Sequence, residues 1–272
     1  MLLFYVLLGA AATVATALCS CFNGLEWLWT LPMLIGYSLG LIILHFFILF
    51  IISLFVDKSK DQASNNRFFR FITVYSMKMV LDLCNVHIKV EGLEMVPEGR
   101  WLLISNHRSA FDPFIQMWAL RKHELAFISK PENQRIPIAG AFMHKCCYLC
   151  IDRDNPRNAL RTILKAVDLI KRDVVCIGIY PEGTRNRNGG LLPFKNGALQ
   201  IAQKAKVPIV SSVLYNPESI SKNAFVPWKR TEVVFKILSV VDAQTAISEK
   251  SVDLGDRLRA EIETAWYELD KK

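Results

Sequence analysis

The first 56 residues, Met1 to Val56, contain no lysine and no arginine, and Glu26 is their only acid. All 33 basic residues and 24 of the 25 acids therefore lie beyond Val56, and the formal charge of +8 becomes +9 on the last 216 residues. Charge is too plentiful there for a many-pass transporter, and 52% hydrophobic content is too high for a disordered chain. Seven cysteines in 272 residues exclude a disulfide-stapled miniprotein. No internal repeat and no low-complexity linker interrupts the charged part, whose length suits one domain with a sizeable core.

Two apolar stretches fill the uncharged end, Met1 to about Phe22 and Leu31 to Val56. Each meets the roughly 20-residue length that crosses about 30 Å of hydrocarbon as a helix. Between them Trp27 and Trp29 suit a headgroup belt, and Lys58, Lys60, Arg67, Arg70 and Lys78 follow the second stretch. This asymmetry predicts an N-terminal membrane hairpin, residues 1–56, in the cell membrane, with residues 57–272 facing the cytoplasm. A cleaved signal peptide would need a positive segment before the first stretch, and none is there. Pro32, Gly36 and Gly40 leave open whether the hairpin spans the bilayer or dips into one leaflet. An odd number of cysteines fits a reducing compartment.

Arg67 to Leu83 reads as a basic helix with a broad apolar face, able either to lie on anionic lipid or to pack on the domain. Val86 to Glu91 alternates as a strand with one wet face. Apolar runs at Trp101–Ser105, Leu125–Ser129, Val174–Tyr180, Pro208–Tyr215 and Thr231–Val241 alternate with helical patterns at Asp112–Leu120, Asn155–Lys171 and Gly197–Lys204. The second of these helices is built on Leu160, Ile163, Leu164, Val167 and Ile170, and a C-terminal helix presents Leu254, Leu258, Ile262, Ala265 and Leu269. This order predicts an α/β fold, a mixed, largely parallel sheet flanked by helices. His144, Cys146, Cys147 and Cys150 have no recognised zinc-ligand spacing and sit among strand formers, so they are read as core and no metal is expected.

Open α/β sheets bind ligands beyond the carboxyl ends of their strands. Two such ends carry chemistry: Asn106-His107-Arg108-Ser109-Ala110-Phe111-Asp112 after the second strand, and Pro181-Glu182-Gly183-Thr184-Arg185 after the strand ending at Tyr180. His107 and Asp112, five apart, meet only if the chain turns between them, with Asp112 at or near a helix N-terminus. A histidine so held can take a proton from a hydroxyl. No serine or cysteine elbow is evident nearby, which points to direct transfer rather than a covalent enzyme intermediate. In the second segment Gly183 lets backbone N–H groups approach a ligand, Thr184 adds a hydroxyl, Arg185 can clamp a phosphate, and Glu182 is read as binding substrate hydroxyls or holding the arginine.

Together NHRSAFD and PEGTR, in a chain led by an apolar hairpin, closely resemble the glycerophospholipid acyltransferase family, in particular its lysophosphatidic acid acyltransferases. The resemblance runs from about Lys89 to Val213. It implies a glycerolphosphate acyltransferase-like fold and transfer of an acyl chain from a thioester to the sn-2 hydroxyl of 1-acylglycerol 3-phosphate, giving phosphatidic acid. His107 would be the general base and Asp112 its partner, while Asn106 would support the loop. Lys130, Arg153, Glu182, Gly183, Thr184 and Arg185 would bind the substrate and its phosphate. Cys147 stands where the family commonly has glycine, Tyr180 where it has phenylalanine, and Asn186 where it has serine. The implied partners are a membrane lipid acceptor, an acyl-CoA or acyl carrier protein donor as co-substrate, and an anionic membrane surface. No further cofactor is implied, and basic residues interleaved with acids argue against nucleic acid. Glycerol 3-phosphate or another lysolipid as acceptor, and a catalytically silent membrane scaffold, are the alternative readings.

Overall fold

A computed structural model describes residues 1–60, 64–152, 155–186, 189–195, 197–224, 226 and 228–271. Two compact units emerge, Met1–Lys58 and Ser59–Lys272.

The first unit is an antiparallel pair, α1 (Leu2–Cys19) and α2 (Thr30–Leu54), joined through a 3₁₀ turn at Gly24–Trp29. By length and apolar composition both helices could cross a membrane. Small residues let them approach: Gly9, Thr13 and Ala17 form the buried stripe of α1. A Cβ on Gly9 would stand 2.3 Å from Ser38 Oγ. Tyr5 Oη lies 3.0 Å from His45 Nδ1 across the pair. The outward faces are bare hydrocarbon, with Leu3 70% and Phe47 58% exposed.

The second unit opens with α3 (Arg67–Leu83), started by Asn66, whose side chain accepts the Phe69 N–H. Thr73, Val74, Met79 and Leu81 are buried as it packs on α4 (Asp112–Ala119) and α5 (Ala139–Lys145). Phe68 and Phe71 remain exposed at 58% and 55%. Seven strands follow: β1 (Val86–Glu91), β2 (Leu102–Ser105), β3 (Leu125–Ser129), β4 (Leu149–Cys150), β5 (Cys176–Ile179), β6 (Ile209–Tyr215) and β7 (Thr231–Val241). Their order is β1-β7-β6-β2-β5-β3-β4, parallel at every pairing except β6 with β7. All four residues of β2 are buried, as a central strand with both faces covered requires.

The layers over the sheet come from α6 (Pro156–Lys171), α7 (Gln200–Ala205), α8 (Glu218–Asn223), α9 (Ala243–Ser248) and α10 (Ser251–Asp270). The Asn155 side chain caps α6 by accepting the N–H groups of Arg157 and Asn158, with Pro156 beginning the helix. Its buried arc is Ile163, Ala166, Val167, Leu169 and Ile170. Leu160 and Leu164, expected on that face, are about half exposed, because at 100° per residue they fall on one flank of the arc. In α10, Leu254, Leu258, Ile262 and Trp266 are buried at four-residue intervals. Cys146 and Cys147 lie in the core, where burial pushes the Cys147 thiol up to about 11.

Candidate active site

Strands β2, β5 and β3 are neighbours running the same way, so the loops that leave their carboxyl ends share one edge of the sheet. Those loops hold His107, the segment Glu182 to Arg185, and Lys130.

After β2 the chain turns through Asn106 to Phe111 and enters α4 at Asp112, with Pro113 in its first turn. Asp112 is fully buried, and one oxygen does most of its work. Oδ2 lies 2.7 Å from His107 Nδ1 and accepts the backbone N–H groups of Arg108 at 2.7 Å and Ser109 at 2.9 Å. An oxygen already accepting two N–H groups leaves Nδ1 to donate, so the lone pair of the neutral ring sits on Nε2. Burial raises the carboxyl's pKa, against the lowering by its hydrogen bonds to His107, Ser109 and Arg108. The two residues thus meet through a short turn closed by the carboxylate itself.

Asn106 is fully buried and bonds Leu214 of β6 twice, donating from Nδ2 to its carbonyl and accepting its N–H at Oδ1, each at 2.8 Å. Both bonds tie the loop after β2 to β6. Glu182 is buried, and its two oxygens accept the N–H of His107 at 2.8 Å and that of Leu192 at 2.9 Å. The carboxylate therefore ties the PEGTR turn to the loop after β2 and to Leu192. Desolvation raises its pKa, opposed by those two backbone bonds. A second tie runs from the Asn186 N–H to the His107 carbonyl at 2.8 Å.

Gly183 is buried at φ +78°, the left-handed conformation that favours glycine, and its N–H bonds the Tyr180 carbonyl. Past it Thr184 and Arg185 are exposed, and among the described residues Arg185 forms no ion pair. Lys130 is exposed immediately after β3. Arg153 follows β4 in the sequence and lies outside the described residues. Cys147, in the glycine position of the middle motif, adopts φ +62°. The backbone there keeps the left-handed turn that glycine would make without strain.

The fold brings three further residues to this site. Tyr180 stacks on His107, Gln116 receives the Tyr180 hydroxyl at 2.7 Å, and Arg108 pairs with Glu218 at 3.0 Å while lying 4.8 Å over the ring of Trp266. Gln116 follows Asp112 by one helical turn, which is the signal that could have marked it.

A partly exposed imidazole whose free lone pair is on Nε2, a buried carboxylate at its Nδ1 and exposed cations on adjoining loops can deprotonate a hydroxyl attached to an anionic group. Comparison with known proteins agrees in kind. Residues 87–215 match the family model for Acyltransferase. A 1-acyl-sn-glycerol-3-phosphate acyltransferase of Saccharomyces cerevisiae is 27% identical over 188 residues, 68% of this chain and 61% of that protein. One from Limnanthes douglasii is 35% identical over 136 residues, half of this chain and 48% of that one. The alignments thus span about half to three-fifths of these relatives' length. The crystal structure of the 1-acyl-sn-glycerophosphate (LPA) acyltransferase PlsC from Thermotoga maritima shares the fold, with a TM-score of 0.59, 22% identity, and coverage of 83% of this chain and 88% of that one. Residues 87–215, a little under half of the chain, thus resemble the acyltransferase family, and the fold is the one seen in that crystal structure.

Proposed function

We propose that the chain transfers an acyl group from a thioester donor to the sn-2 hydroxyl of 1-acylglycerol 3-phosphate, giving phosphatidic acid. The observation that carries this reading is the 2.7 Å contact of His107 with buried Asp112, on the sheet edge that also bears the PEGTR turn. His107 Nε2 takes the hydroxyl proton as that oxygen attacks the thioester carbonyl. Collapse of the tetrahedral intermediate breaks the C–S bond, and the imidazolium returns the proton to the departing thiolate. Such general-base help contributes about 10²–10⁴ in rate. Asp112 fixes the tautomer and stabilises the imidazolium. The acceptor phosphate is held by Arg185, with Lys130 and Arg153, because guanidinium and ammonium donors match its oxygens. Thr184 adds a hydroxyl donor, and the donor is acyl-CoA or an acyl carrier protein.

In the same reading the N-terminal pair lies in the cell membrane, since exposed leucine and phenylalanine side chains along both helices belong in hydrocarbon. The basic residues after α2 support a cytoplasmic side for the catalytic unit. The bare Phe68 and Phe71 of α3, beside Arg67, rest on the anionic surface. An assay of the full chain with acyl-CoA or acyl carrier protein donors, against 1-acylglycerol 3-phosphate, glycerol 3-phosphate and uncharged lysolipids, tests the assignment. Lysophosphatidate should be strongly preferred. Arg185→Ala should raise the acceptor KM about tenfold or more with kcat little changed; an unchanged KM would remove Arg185 from the phosphate site.

A further inference from the structure

The sequence departs from the family pattern at Tyr180, and that ring lies against the catalytic one. The centroids of His107 and Tyr180 are 4.1 Å apart with the planes 10° from parallel. Phe127 of β3 also stacks on Tyr180, with centroids 5.5 Å apart and planes at 7°. The Tyr180 hydroxyl is anchored too, donating to Gln116 Oε1 at 2.7 Å. Gln116 is fully buried on α4, four residues beyond Asp112, so both side chains project from one side of the same helix. Asp112 holds the imidazole by its edge at Nδ1, and Gln116 holds the ring that backs its face.

We propose that Tyr180 is a positioning residue for His107, its ring fixing the plane of the imidazole and its π face favouring the imidazolium that forms as the acceptor proton is taken. The physical basis is twofold. A five-membered ring bonded only at Nδ1 can still rock about that bond, and misplacement of a reacting atom by about 1 Å can cost about 10²-fold in rate. An aromatic face also attracts a cation centred over it, and the attraction acts only once the imidazole is charged. The hydroxyl's part is to hold the aromatic ring, so the ring is the component that matters for turnover.

This inference rests on His107 as the general base, and the experiment separates the two. Wild type, Tyr180→Leu, Tyr180→Phe and His107→Ala, each as the full chain in detergent micelles, are compared for kcat and acceptor KM and for thermal melting. Tyr180→Leu should lower kcat by about 10- to 100-fold with KM within about twofold. Tyr180→Phe, which keeps the ring and loses the bond to Gln116, should retain kcat within about threefold despite a lower melting temperature. If Tyr180→Leu does not melt cooperatively, Tyr180→Met fills the same space without a ring and takes its place, with the same expected split. Wild-type kcat in the ringless variant, a loss confined to KM, or a Phe variant as impaired as the Leu one would overturn the positioning role. An inactive His107→Ala beside an unaffected Tyr180→Leu would refute it while leaving the base assignment standing. An active His107→Ala would remove both.

Discussion

In the proposed reaction Asp112 serves catalysis at the expense of stability. Its carboxyl is fully buried, its Oδ1 has no partner among the described residues, and desolvation holds its pKa above the ordinary carboxylate value. A folded-state pKa above the unfolded one means the native protein binds the proton more tightly. The ionisation penalty is therefore absent below the ordinary carboxylate range and grows as pH rises through the window up to the raised pKa. Asp112→Asn keeps an acceptor for the three N–H groups and removes the titration. Its melting temperature relative to wild type should climb as pH rises through and above the ordinary carboxylate range, while kcat falls by about 10²–10⁴ because the imidazolium loses its counter-charge. Parallel melting temperatures across that range would contradict the account. Glu182 shows the limit of reading single residues. In sequence it is an acid beside an arginine, yet both its oxygens are taken by backbone N–H groups of loops that only the fold brings together.

Elements carry the site because strand ends are fixed by what lies beneath them. Gly178 of β5 sits directly beside Phe127 of β3, and a Cβ there would stand 2.4 Å from the Phe127 ring. Gly178→Ala should displace the base of the Phe127, Tyr180, His107 stack, costing about 1–3 kcal/mol by overpacking and lowering kcat with little change in KM. Unaltered stability, measured by chemical denaturation in micelles, would show that the close approach is not enforced. At Cys147 the expectation has the opposite sign. The left-handed φ of +62° costs a side-chain-bearing residue about 1–2 kcal/mol, so Cys147→Gly should leave the melting temperature close to wild type as strain relief offsets lost burial. Cys147→Val, β-branched at the same φ, should lower it clearly; equal stabilities would show that the backbone there is free to relax.

The order of strands and helices, and the two strand-end motifs, were legible because period-2 and period-3.6 patterns and polar residues after apolar runs are local signals. Hidden features were non-local. The antiparallel β6 and β7 pairing, with β1 beyond it at the sheet edge, depends on which strands meet. Short α5, α8 and α9 hold too few residues for a periodic signal. The roles of Tyr180 and Gln116 exist only across the packed layers.

At the scale of the whole molecule, the chain joins an uncharged helical pair to a basic α/β unit, and these match the two halves of the proposed reaction. A lipid acceptor is delivered from hydrocarbon, while a hydrophilic thioester donor and the histidine chemistry belong to water. The proposal depends on one group turning over at that boundary. The most direct test is acyl transfer from acyl-CoA or acyl carrier protein to 1-acylglycerol 3-phosphate by the full chain in phospholipid vesicles, wild type against His107→Ala at matched protein levels and matched melting temperature. The account predicts phosphatidic acid formation by the wild type and a loss of about 10²-fold or more in the variant. A His107→Ala chain that makes phosphatidic acid at the wild-type rate, or a folded wild type that makes none with either donor, would contradict it.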